Sequence, residues 1–109
     1  MEKSDAIGAL GALAQDTRLD IFRLLVQVGR DGLPAGKIGA RFGLPSATLS
    51  FHLNQLKQAG LLACRREGRS MIYAAQFDAM NNLLAYLTEN CCQGRAGECA
   101  VPVCAPAAE

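Results

Sequence analysis

The sequence predicts a mainly α-helical fold with one small β-hairpin, and three observations predict it. Apolar residues recur at helical spacing in four separate runs through the first 60 positions, with capping or glycine residues at the boundaries. Between residues 61 and 77 the period changes to alternation around a charged turn. A last amphipathic run then restores the helical period.

Each element follows from its own residues. Residues 4 to 14 carry Ile7, Leu10, Leu13 and Ala14 at helical spacing. The segment AQDTRLDIFRLLVQVG continues with Leu19, Ile21, Phe22, Leu24, Leu25 and Val26; Asp16 or Thr17 suits its N-cap and Gly29 its stop. LPAGKIGARFGLP reads as a helix of about two turns with Ile38 and Phe42 inward, closed by Gly43. PSATLSFHLNQLKQAG is a fourth helix, opening at Pro45 or Ser46 and ending at Gly60. LLACRREGRSMIYAAQF alternates Leu62 and Cys64 and, past the turn REGRS, Met71 and Tyr73, as two short strands around a charged tip. From Phe77, the residues Met80, Leu83, Leu84 and Leu87 mark a final helix ending near Asn90. A short helix, a turn, a second helix and then a hairpin is the winged helix-turn-helix arrangement.

Composition bounds the function classes. A chain of 109 residues, half of them apolar, buries one core, so residues 1–90 form one domain and residues 91–109 a flexible, cysteine-rich tail. No apolar run spans a bilayer and the N-terminus lacks a signal-peptide pattern, which predicts a cytoplasmic protein with no membrane partner. Thiols stay reduced there, so the five cysteines point to soft-ion binding or redox chemistry rather than a disulfide frame. No cysteine sits in the helix-start or anion-loop setting that thiol enzymes use, so no catalytic residue is assigned. Net charge is only +1, and any basic surface must be local.

Local chemistry points to DNA. Stepping 100° per residue along the fourth helix places Leu49, Leu53 and Leu56 on one buried stripe. The other side presents Ser46, Ala47, Thr48, Ser50, Phe51, Asn54 and Gln55. Small and amide side chains near a helix N-terminus suit the major groove, where an amide pairs with adenine and a methyl or ring meets the methyl of thymine. An ordinary solvated face is the competing reading, and an exposed Phe51 argues against it. His52 lies at the edge of the stripe, as a semi-buried, satisfied ring. Between Lys57 and Arg69, at the end of this helix and on the hairpin, Lys57, Arg65, Arg66 and Arg69 stand against Glu67 alone, a cationic excess in which Arg66 and Arg69 suit backbone phosphates; a solubilising turn is the alternative.

The stretch SATLSFHLNQLKQAGLLACRREGRSMIY, with its Leu-Ser-x-His-Leu-x-x-Leu core, resembles the recognition helix and wing of the ArsR/SmtB family of metal- and metalloid-responsive repressors. LAQDTRLDIFRLL matches the family's Ala-x-x-x-Arg-Leu-x-Ile segment, and the resemblance covers roughly residues 8 to 90. Where the family commonly has histidine, this chain has Phe51. The resemblance implies a homodimer that binds double-stranded operator DNA as a repressor, its first and last helices packing against their mates. Leu10, Leu13, Phe77, Met80, Leu83, Leu84 and Leu87 are the expected dimer residues, since this apolar surface exceeds what one small domain needs to close its core.

The thiols then choose among inducers. The last helix has no histidine, and the helix before the recognition helix has no cysteine, so neither of the family's other familiar sites is supported. What remains is a sulfur-only set, which selects thiophilic ions. The adjacent Cys91 and Cys92 chelate trivalent arsenic in a small ring; Cys99, reached across Gly94 and Gly97, completes a three-sulfur shell, with Cys104 beyond Pro102 as a substitute. Family members with vicinal cysteines after the last helix are similar, which implies arsenite, antimonite or an organoarsenical as inducer and no organic cofactor. A thiol-based redox-sensing repressor is the alternative.

Overall fold

Alanine, not leucine, builds the inner face of the first helix. In the computed structural model, which describes residues 1–91, helix α1 (Lys3–Leu13) buries Ala6, Ala9 and Ala12 and leaves Ile7 and Leu10 outside. A capping box between Glu2 and Asp5 starts it. Helix α2 (Asp16–Val28) buries Ile21, Phe22 and Leu25 and stops at Gly29, whose φ of 94° suits a residue without Cβ. Its N-cap is Gln15 rather than Asp16 or Thr17: the longer amide reaches the third helical residue and accepts the Arg18 N–H at 2.9 Å.

The helix-turn-helix follows from two glycines. Helix α3 (Ala35–Phe42) ends at Gly43, which is left-handed with φ 64°, and the Leu44 N–H closes the turn on the Gly39 carbonyl at 3.0 Å. Gly39 is itself buried, and a Cβ there would stand 3.1 Å from Leu49 Cδ2 of helix α4 (Ser46–Gln58). Missing side-chain volume therefore sets how closely the two helices pack. Ile38 from α3 and Leu49, Leu53 and Leu56 from α4 all enter the core.

The hairpin is present and larger by one strand than expected. Strands β2 (Leu62–Glu67) and β3 (Ser70–Ala75) pair antiparallel with Cys64 opposite Tyr73 and turn at Gly68. A two-residue strand, β1 (Leu33–Pro34), pairs the other edge of β3, so the order is β1-β3-β2. Two residues are too few to show alternation, which is why periodicity does not reveal β1. At Gly32, φ is 70° and a Cβ would collide with the Tyr73 carbonyl, so only glycine lets this edge approach. Strand β3, now central, is covered on both faces: Ile72 and Ala74 are buried on one and Ala75 on the other. The expected inward pair Met71 and Tyr73 is corrected accordingly, for Tyr73 is half-buried and Met71, near the wing tip, lies beyond the core.

Helix α5 (Phe77–Leu87) stops three residues short of Asn90, where the Thr88 hydroxyl donates to the Leu84 carbonyl at 2.7 Å. A further turn follows, in which the Cys91 N–H donates to the Thr88 carbonyl at 3.0 Å. No described helix is long and apolar enough to cross a membrane.

Candidate nucleic-acid interface

Helix α4 has two faces of opposite character. Leu49, Leu53 and Leu56 anchor the inner one, while Ser46, Ala47, Thr48, Ser50, Phe51 and Asn54 are exposed and Gln55 is half-exposed on the outer one. Phe51 is 56% exposed, with its ring edge-on to His52 at 5.7 Å between centroids. The first turn of α4 has no side-chain cap, so its N–H groups remain available to an anion. Beside it runs an open groove of about 430 Å³ lined by small residues, among them Ala35, Gly36, Gly39 and Ser46. Its lining side chains are small, with Ser46 and Ser50 as the hydroxyl donors.

The wing cations divide by their partners. Arg65 Nε donates to Glu67 at 2.7 Å and Arg65 Nη2 to the Asp31 carbonyl at 2.8 Å, so this arginine braces the hairpin against the loop before β1. Arg66 Nε donates to the Gly68 carbonyl at 3.2 Å, which orients its guanidinium at the tip. Arg69 is exposed and makes no side-chain hydrogen bond or ion pair among the described residues. Arg66, Arg69 and Lys57 thus carry the uncompensated positive charge, and Arg65, counted with them in the sequence, is matched by Glu67.

His52 is only 9% exposed and is held by Arg18, the arginine of the Ala-x-x-x-Arg-Leu-x-Ile segment, whose partner the sequence did not reveal. Arg18, on α2, donates from Nε to the Ala12 carbonyl at 2.7 Å, and its Nη1 faces His52 Nδ1 at 3.3 Å. A guanidinium only donates, so Nδ1 accepts and the ring proton sits on Nε2. Burial pushes the imidazole pKa below its ordinary value, and the Arg18 charge pushes it the same way. The signal in the sequence was an arginine amid the core residues of α2. Across the hairpin, burial and then a hydrogen bond with Cys64 raise the Tyr73 phenol pKa.

The remaining expected residues separate by burial. Leu83 is buried in this chain's own core, with Leu13, Phe77 and Met80 packed against it; Arg30 lies over the Phe77 ring at 5.9 Å. Leu84 is half-buried. Leu10 at 43% and Leu87 at 55% are exposed, together with Ile7 at 61%. Cys91 is half-buried just past α5, whereas Cys92, Cys99 and Cys104 lie outside the described residues. Among the described residues, no three His, Cys, Asp or Glu side chains come together to hold a metal ion.

A recognition-type helix packed on a shorter one, beside a hairpin with a cationic tip, defines a winged helix-turn-helix DNA-binding domain. Comparison with known proteins agrees: a helix-turn-helix domain model matches residues 13–65. The transcriptional activator HlyU of Vibrio cholerae is 30% identical over 95 residues, covering 85% of each chain. Its solved structure superposes with a TM-score of 0.63, at 33% identity over 80% of this chain and 97% of HlyU, and a reduced form matches at 0.62. An ArsR-like transcriptional regulator from Rhodococcus gives 0.68 at 26% identity, covering 80% of this chain and 78% of that one. Mb0332 from Mycobacterium bovis, a homodimeric winged helix-turn-helix DNA-binding domain, gives 0.65 at 25% identity, covering 84% and 85%. Against four other curated relatives the chain spans only 62–72% of their length. The chain belongs to the ArsR/HlyU type of winged-helix transcriptional regulators.

Proposed function

We propose that this regulator is a homodimeric repressor that holds an operator until trivalent arsenic, as arsenite, antimonite or an organoarsenical, binds thiolates at the end of its last helix. The observation that carries the reading is the position of Cys91, one turn past the end of α5, the helix that bears the exposed Leu87. Cys92 adjoins it in sequence, and Cys99 supplies a third sulfur, with Cys104 as its substitute. Residues 91–109 act as the metalloid-binding tail of a domain formed by residues 1–90. The exposed aliphatic residues of α1 and α5 pair the protomers, in the manner of the homodimeric Mb0332 domain. Two recognition helices related by a two-fold axis then read half-sites about 34–36 Å apart, or a multiple of that spacing.

On this reading Ser46, Ala47, Thr48, Ser50, Phe51, Asn54 and Gln55 face the major groove, and Arg66 and Arg69 meet phosphates. When bound, arsenic draws three thiolates into a pyramid. Binding there would act through α5 on the distance or tilt between the two recognition helices, and a difference of about 1–3 kcal/mol between DNA-bound and free forms is enough to switch occupancy. Release of operator duplex by arsenite, phenylarsenite, antimonite, zinc, cadmium and peroxide tests the reading. Arsenite and antimonite are expected to release DNA and zinc to leave it bound. Cys91→Ser or Cys92→Ser is expected to abolish the arsenite response, and Cys99→Ser to do so while sparing organoarsenicals that need two sulfurs.

A second reading has one observation in its favour. HlyU, a relative at 30% identity, has been solved in a reduced form, and clustered thiols also suit oxidation to a disulfide. Release by peroxide without release by arsenite selects it.

A further inference from the structure

We propose that Arg18 is a positioning residue that ties α1 to α4 through the neutral ring of His52, so that DNA binding weakens when that ring takes up a proton. The proposal rests on the reading that α4 faces DNA and that α1 lies at the dimer face.

The geometry is a three-helix strut. Arg18 leaves the first turn of α2, where its own N–H is held by Gln15 Oε1 at 2.9 Å, so the root of the side chain is fixed. One guanidinium edge takes the Ala12 carbonyl, which lies in the last turn of α1 and lacks an intrahelical donor. The other edge reaches Nδ1 of His52, midway along α4. Among the described residues these are the side-chain hydrogen bonds that join α1, α2 and α4. Apart from the half-buried Leu13, the α1 packing surface is alanine, which fits closely but gives little rotational registry. A planar fork holding two acceptors at once supplies that registry, and an ammonium group does not reproduce it.

The strut depends on protonation. With Nδ1 protonated, an N–H would point at a guanidinium N–H and two cations would face each other across a gap now 3.3 Å long. Arg18 is the charged group that acts on the ring; the other charged side chains on α1, α2, α3, α4 and β2 are exposed. Of the half-buried titratable groups on the adjoining hairpin, Cys64 is engaged with Tyr73. His52 has a lowered pKa in the folded chain, so the arrangement is intact above the unfolded-state value of about 6.5 and is lost as pH falls through the folded value. His52 is also the chain's one histidine, the side-chain type whose ordinary pKa lies between 7.5 and 5.5, and a variant at this position separates its contribution from those of the α-amino group and the thiols.

The sign separates this from ordinary electrostatics. A histidine that merely adds positive charge strengthens DNA binding as pH falls, whereas the strut predicts weakening. The probe is a duplex selected from a random-sequence pool by the wild-type protein at pH 7.5. Its affinity at constant salt is expected to fall between pH 7.5 and 5.5, most steeply at the acid end because the His52 pKa is lowered, with a limit of about tenfold per pH unit for each linked proton. His52→Gln, which still offers Arg18 an acceptor but does not titrate, is expected to bind normally at pH 7.5 and to lose the fall. Circular dichroism and sedimentation at both pH values check fold and dimer.

A second measurement needs no variant. By linkage, DNA that disfavours the protonated ring must lower the titration midpoint of the His52 ring signals seen by NMR. An affinity that is flat or rises as pH falls, a fall retained by His52→Gln, or a midpoint raised or unchanged by the duplex overturns the proposal. Failure to select any duplex removes the DNA reading itself, and the inference with it.

Discussion

Helices α1 and α4 each bury one face and leave the other in solvent, and those outer faces are chemically opposite. The outer side of α1 is aliphatic, with Ile7 and Leu10 exposed above a row of buried alanines. The outer side of α4 is hydroxyl and amide with one aromatic ring, above a row of buried leucines. An aliphatic face gains from a dry partner that removes it from water, about 25 cal/mol per Å². A hydroxyl and amide face loses on dry burial unless every group finds a partner, which a base edge or phosphate provides. On the proposed reading, the same secondary structure serves a second protein copy at one place and a wet, charged ligand at another. Arg18 and His52 join the two helices.

Substitutions that convert one kind of face into the other test this contrast. The largest effect is expected from Ile7→Glu combined with Leu10→Glu. Carboxylates at a dry two-fold interface repel their mates, and dimer dissociation by sedimentation should rise at least about a hundredfold, with helix content kept. Retained dimer would mean that the aliphatic face of α1 serves something else.

On α4, Ser50→Ala with Asn54→Ala removes polar groups at exposed, non-core positions. Operator affinity should fall by about 1–3 kcal/mol for each base edge that is no longer read, while the dimer and its thermal midpoint hold. Unchanged affinity would strip α4 of its recognition role.

The smallest and least sequence-selective effect belongs to the wing. Arg66→Ala with Arg69→Ala should weaken binding to every duplex alike and reduce the salt slope by about one for each phosphate that is no longer neutralised. An effect confined to one sequence would place these arginines at bases instead of phosphates.

Much of the architecture was legible because local periodicity and punctuation agreed with it. Gly29, Gly43 and Gly60 stop helices where a positive φ is required, and the leucine stripe of α4 is the buried one. The charged turn around Gly68 marked the hairpin. The misses share a cause. Strand β1 exists because Leu33 and Pro34 find β3, and no pattern of two residues announces a long-range pairing. The phase of β3 failed because a central strand is covered on both faces, so alternation no longer distinguishes inside from outside.

The site was legible to a lesser degree. The residue types of α4 and the wing pointed to a DNA-facing surface, and the structure leaves those residues exposed or half-exposed. Which arginine is free to act was not readable: Arg65 and Arg66 are adjacent, yet only Arg65 meets Glu67 and the Asp31 carbonyl. Likewise Leu83 and Leu87 lie four residues apart on one stripe, but one closes the protomer core and the other is exposed. Periodicity assigns residues to a face, and only the packed neighbours decide how deep along that face the core extends. By itself the sequence determined the helices, the glycine stops of α2, α3 and α4, the hairpin and the chemistry of each face, because these depend on residues a few positions apart. The tertiary structure alone decided the third strand, the partner of each arginine and the Arg18 tie to His52, because these join residues as much as 40 positions apart.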